Sequence, residues 1–187
     1  MKAALIAIAV LIVGGLGFVY AGIFDVAADN PHWPITYRLL ETMRDRSIAM
    51  RARGEAAPPA LDDPKLIAMG AEHYDEMCTG CHLAPGMDDS ELRAGLYPKP
   101  PKLADVGARR SPAERFWIIK HGVKMTAMPA WGTSHDDQAI WAMVALVGKL
   151  PQLSPKAYHE LVGSGGDHEH SDHDHSEHDA EAPSAQH

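Results

Sequence analysis

Residues 78–82 read Cys78-Thr79-Gly80-Cys81-His82, and they hold the only two cysteines of the 187-residue chain. Two thiols at this spacing sit on one turn of backbone, where each can form a thioether to one edge of a porphyrin. The histidine that follows brings an imidazole under the iron as its proximal ligand. The stretch therefore predicts one covalently attached haem, anchored by Cys78 and Cys81, with His82 on the iron. Three other readings compete. A dithiol redox pair expects strand–helix–strand surroundings, and no strand pattern flanks these residues. A zinc site expects further ligands, and the chain has no second cysteine pair. A five-residue pattern can also arise by chance, so a second iron ligand has to be sought independently.

That ligand is sought downstream, in Lys124-Met125-Thr126-Ala127-Met128-Pro129-Ala130-Trp131-Gly132. A methionine beside proline offers a thioether on a stiff backbone, and a thioether opposite histidine favours reduced iron. Met128 is the candidate. The alternatives are a core-filling role for Met128, Met125 as the ligand, and the histidines His121 and His135, which lie at helix ends where imidazoles often serve the helix dipole.

Between and around these motifs the sequence predicts helices. Asp63-Pro64 starts one that runs through Met77 into the cysteine motif, with Gly70, Tyr74 and Cys78 on one face. The carbonyl of Pro85 is a candidate acceptor for the second N–H of the His82 ring. The apolar, proline-rich stretch Leu96–Leu103 is suited to wall one haem edge, or to be a plain surface loop. Ser111-Pro112-Ala113-Glu114 is a capping box opening a helix that ends at Gly122. A further helix is expected over Ser134–Lys149, capped by Ser134 with Asp137, and a short last one over Leu153–Val162.

The N-terminal end is of a different kind. Residues 3–24 carry no charge and follow Lys2, a run longer than the ~20 residues needed to cross a bilayer. Residues 1–28 are expected to form an uncleaved signal anchor and transmembrane helix, with cleavage near Val26-Ala27-Ala28 as the alternative. Lys2 favours a cytoplasmic start, whereas Arg38, Arg44 and Arg46 on the far side oppose the positive-inside tendency. Haem ligation outside the cytoplasm decides for an external domain. Residues 29–61 form a connector whose helix, Ile35–Arg53, places Leu39, Leu40, Met43 and Ile48 near one face. It reads equally as a helix lying on anionic lipid or a partner subunit, or as a solvated spacer.

The net charge of -8 is unevenly spread. From Gly163 onward there are seven acidic residues and no Lys or Arg, so the remainder balances 17 basic against 18 acidic. No nucleic-acid surface is indicated. Residues 163–187 are low in complexity and predicted disordered. There His168, His170, His173, His175 and His178 alternate with acids, a chemistry that suits Cu, Ni or Zn, or else a solvated tail that binds metal adventitiously.

Two stretches together carry a family resemblance: G-x-x-x-Y-x-x-x-C-T-G-C-H at Gly70–His82, and H-G-V-K-M-T-A-M-P-A-W-G at His121–Gly132. With the Trp141 helix they resemble class I cytochromes c, in particular the small proteobacterial type related to oxidase cytochrome c subunits. The resemblance covers roughly residues 62–150. It implies an all-α fold of three to four core helices around one covalent haem c, here over residues 62–162. It implies Met128 as sixth ligand, and a first-to-last helix crossing of a glycine on an aromatic, here Gly70 and Trp141. It also implies electron transfer between donor and acceptor proteins.

The expectation is a membrane-anchored carrier, not itself an enzyme, on the bacterial inner membrane. Its haem domain is expected in the periplasm, serving membrane respiratory or dehydrogenase complexes. Two rival classes stand beside it: a haem sensor or catalyst with a labile sixth ligand, and a metal-handling protein working through the tail.

Overall fold

A computed structural model of the chain describes residues 1–58 and 60–165. Every regular element among the described residues is a helix. The expected ligands His168, His170, His173, His175 and His178 lie outside the described residues.

The first helix, α1 (Lys2–Tyr20), is apolar all round and buries none of its residues in the protein. At ~1.5 Å per residue its 19 residues span about 28 Å, close to the thickness of a bilayer's hydrocarbon core. The segment after it turns back on itself. Ala27 N–H and the Asn30 amide both donate to the Asp25 carboxylate, at 2.8 and 2.7 Å. Phe24 meets Trp33 edge-on at 6.0 Å. The connector helix α2 (Pro34–Arg51) follows, with proline in its first turn, and a short 3₁₀ turn closes it at Gly54.

Helix α3 (Pro64–Met77) begins as its sequence demands: the Lys65 N–H donates to the Asp63 carboxylate at 2.9 Å, with Pro64 in the first turn. The single-turn helices α4 (Thr79–His82), α5 (Glu91–Ala94) and α6 (Leu103–Val106) lead to α7 (Pro112–His121). Both halves of the Ser111–Glu114 capping box are formed. Helices α8 (Asp137–Lys149) and α9 (Pro155–Gly165) complete the order. The cap of α8 differs from expectation. Asp136, not Ser134, accepts the Ala139 N–H, at 2.8 Å. The Ser134 hydroxyl is turned instead to the Trp131 carbonyl and the His135 ring.

The core is the crossing of α3 on α8. A Cβ on Gly70 would collide with the Ala142 carbonyl, so the two backbones touch where no side chain fits. The glycine meets the backbone of Ala142, whereas Trp141 turns aside to stack on Phe116 at 4.2 Å. The expected glycine-on-aromatic pairing is therefore displaced by one residue. Ala71 and Tyr74 continue the buried face of α3 against Leu146, Val147 and Leu150, and Tyr158 of α9 closes over them. Fully burying an aliphatic or aromatic side chain of this size contributes about 1.5–3 kcal/mol. The Tyr158 hydroxyl donates to Asp75 at 2.9 Å and fixes α9 to α3. A second cluster, Phe116, Ile140, Met143 and Val144, joins α7 to α8 and packs against Met77.

Candidate functional site

Helix α3 delivers the cysteine motif from this crossing. After Met77 the chain passes through Cys78 and tightens into α4, where Cys81 N–H and His82 N–H both donate to the Cys78 carbonyl, at 3.1 and 2.7 Å. One turn thus carries both thiols and the imidazole. Tyr74, one turn before Cys78, donates its hydroxyl to the Leu83 carbonyl at 2.8 Å, pinning the exit of the turn to its entrance. Leu83 leaves with φ 61°, a strained left-handed backbone for a branched residue. Burial, with the neighbouring Cys81 adding to it, pushes the Cys78 thiol up to about 12. A thiol raised in this way lacks the lowered pKa of a reactive dithiol.

The His82 ring is set by one bond. Its Nδ1 lies 2.9 Å from the Pro101 carbonyl. A carbonyl only accepts, so the hydrogen sits on Nδ1, and the Nε2 lone pair is left for a metal. Burial pushes the imidazole's pKa down, outweighing the opposite pull of the Pro101 bond, and nearby Arg93 adds to the fall. The shift favours the neutral ring, the form that ligates a metal. The acceptor expected on sequence grounds was Pro85. The structure uses Pro101, nineteen residues away, because the proline-rich loop wraps under the ring.

That loop is held by residues the sequence did not single out. Arg93, on α5, is the buried charge of the domain, at 8% exposure. Its Nε donates to the Pro100 carbonyl at 2.9 Å and its Nη1 to Asp89 at 2.7 Å. Lys99 also pairs with Asp89. These two cations, Lys99 first, hold the Asp89 carboxyl down to about 2. The guanidinium so fixes Pro100 and, one residue on, the carbonyl that meets His82. Tyr97 in the same loop accepts the His32 N–H at 3.1 Å and meets the His32 ring edge-on at 5.1 Å. The loop is thereby joined to the segment that follows α1. A buried arginine on a one-turn helix leaves no local signal in the sequence; an arginine four residues after an aspartate at the start of a proline-rich stretch is the sole hint.

The methionine loop is built locally. Gly122 ends α7 with φ 64°, and a Cβ there would strike the backbone of Met128 and Pro129. Val123 N–H donates to the Met128 carbonyl at 3.2 Å, and the Thr126 hydroxyl accepts the Met128 N–H at 3.1 Å. The structure separates the four ligand candidates. Met125 is 98% exposed and points into solvent. His121 is exposed and packs on Trp117 at 5.1 Å. His135 is engaged by the Ser134 hydroxyl at 2.9 Å and by the rings of Trp131 and His73. Met128 is half-buried, with no hydrogen bond to its sulfur among those present. The His73–His135 contact, at 5.5 Å, ties the end of this loop to α3.

The donor set suits a covalent haem: two thiols and an Nε2-directed imidazole on one turn, and a half-buried thioether on a separate loop. An all-helical domain built in this way around such a turn is a mono-haem class I cytochrome c. More narrowly, residues 65–147 match the family described as cytochrome C oxidase, cbb3-type, subunit III, which relates the domain to oxidase cytochrome c subunits. A domain of this type carries covalent haem c and transfers electrons. The family is membrane-associated, in keeping with the apolar α1. No curated protein and no solved structure matches the chain.

Proposed function

We propose that this chain carries single electrons between membrane respiratory or dehydrogenase partners, through one haem c on the periplasmic side of a bacterial inner membrane. Cys78 and Cys81 hold the haem, and His82 and Met128 ligate its iron. The observation that carries this reading is the 2.9 Å bond from His82 Nδ1 to the Pro101 carbonyl. It gives the histidine of a cysteine-pair turn the tautomer and orientation of an iron ligand. When bound, the haem supplies a one-electron couple at iron.

The protein's share of the work is to hold that couple still. Pro101 fixes the imidazole, Arg93 fixes the loop that carries Pro101, and the Gly122–Pro129 turn presents Met128. With His82 and Met128 both holding the iron, no position would be left for a substrate, so the chain would act as a carrier or as an oxidoreductase subunit, not as an enzyme alone. A haem sensor or catalyst would need Met128 to stand off the iron.

The test is a visible spectrum, oxidised and reduced, of membranes from cells that mature c-type haem, comparing the native chain with Met128→Ala. The expected result is a low-spin haem whose methionine–iron charge-transfer band disappears in the variant. A high-spin native spectrum overturns the carrier reading, and absence of covalent haem overturns the site.

A further inference from the structure

Helix α2 has two apolar faces, and the protein covers one of them. Ile48 (2% exposed) and Ala52 are buried against the haem domain, and Asp45 on the same side pairs with Arg110 of the α7 approach at 2.7 Å. Partial burial pushes the Asp45 carboxyl up, but the hydrogen bonds from Arg44 and Arg110 outweigh it and the net shift is down. This side is therefore a docked, charge-matched contact. At ~100° per residue, Ile35, Leu39, Met43 and Met50 fall within an arc of about 80°, centred roughly opposite Ile48. All four lie between 58% and 74% exposed. The sequence had grouped Ile48 with Leu39 and Met43; the fold sets them on opposite sides.

Three observations say what covers this stripe. Thirteen residues separate the helix from the end of α1, and that intervening chain is folded back, with Phe24 against Trp33 and His32. The start of α2 is thus held at the mouth of the apolar helix. Trp33, at that start, is itself exposed. Arg46 lies within the stripe, and Arg38 and Arg51 flank it about 60° and 80° beyond its two edges, from where long side chains reach anionic headgroups while their stems stay with apolar neighbours. An apolar stripe with basic margins, attached beside a membrane-length helix, is complementary to an anionic bilayer surface.

We propose that α2 lies in the interface of the membrane, its Ile35–Leu39–Met43–Met50 stripe in the acyl boundary and its Ile48 side under the haem domain. The helix is then a rigid mount. Through Asp45–Arg110 and through His32–Tyr97 it fixes the orientation of the haem domain over the bilayer. This rests on the membrane-anchored reading above.

The test uses the full-length haem-loaded chain in vesicles of phosphatidylcholine with phosphatidylglycerol. Single thiols are placed at Leu39→Cys, Met43→Cys and, as an exposed control on the domain, Ala108→Cys. Alkylation by a membrane-impermeant maleimide is timed against the parent chain as background. The result expected is that positions 39 and 43 react several-fold more slowly than position 108, and that Arg38→Glu with Arg46→Glu removes most of the difference. A benzophenone on the same two thiols should then crosslink to lipid in native membranes. Equal rates in chains that float with the vesicles overturn this proposal alone. Crosslinking to a polypeptide overturns it in favour of a partner subunit. Failure of the chain to float overturns the anchored reading and this one with it.

Discussion

His82 and Met128 are held by segments braced in opposite ways. The His82 side is fixed across segments: Pro101 reaches it from nineteen residues away, Arg93 on α5 fixes Pro100, Tyr74 on α3 pins Leu83, and Asp89 gathers Arg93 and Lys99. The Met128 side is fixed chiefly from within, by one backbone bond to Val123, the Thr126 hydroxyl and a glycine in the left-handed region, and is tied to α3 at its end through His73–His135. Non-local bonds between segments that are themselves packed open only when the domain opens. A loop closed on its own neighbours opens alone. On the proposed ligation, the histidine is expected to stay on the iron and the methionine to leave first.

The largest effect should come from a change that spares neither side. Gly70→Val drives a side chain into the Ala142 carbonyl, and α3 and α8 must separate. The expected loss is about 3 kcal/mol or more, or failure to accumulate haem-loaded protein, read by thermal unfolding. Arg93→Met breaks the comparison on the histidine side. It removes the bonds to Pro100 and Asp89 and should lower global stability by about 2–3 kcal/mol, while the methionine–iron band survives at low temperature. Gly122→Ala breaks it on the other side. The left-handed φ and the contact with Pro129 cost about 1–3 kcal/mol locally, so the methionine band should be lost on mild heating while helical circular dichroism holds.

The smallest effect is a matter of pH. Asp89 is held down to about 2 by Lys99 and Arg93, below its ordinary 3.8. Its contribution is therefore complete above the ordinary value and is lost as pH falls through about 2. Asp89→Asn should lower stability slightly at neutral pH and abolish that part of the acid loss between about pH 4 and 2, seen by acid titration of the melting temperature.

What the sequence made legible was local chemistry. The Asp63-Pro64 and Ser111–Glu114 starts, the stop at Gly122 and the cysteine turn each depend on neighbours within four residues, and all stand in the structure. The misreadings were choices between near-equal local options or contacts from afar. Ser134 and Asp136 both suit a cap, and the Trp131–Thr133 turn decided by engaging the serine. Pro85 is close to His82 in sequence, but Pro101 is brought there by the fold. Arg93 has no periodic or motif signature, since its role depends on a loop that arrives later in the chain. Ile48 was grouped with Leu39 and Met43 although the helical period of ~100° per residue sets it roughly opposite them; which of the two apolar sides meets the domain is decided by packing that the period does not show.

The most direct measurement is one guanidinium titration of the oxidised, detergent-solubilised full chain, followed at once through the methionine–iron band and through helical circular dichroism. The account predicts that the band is present at the start and disappears at clearly lower denaturant than the helices. A band absent from the outset would contradict Met128 as ligand, and coincident loss of both signals would contradict the unequal bracing of the two sides.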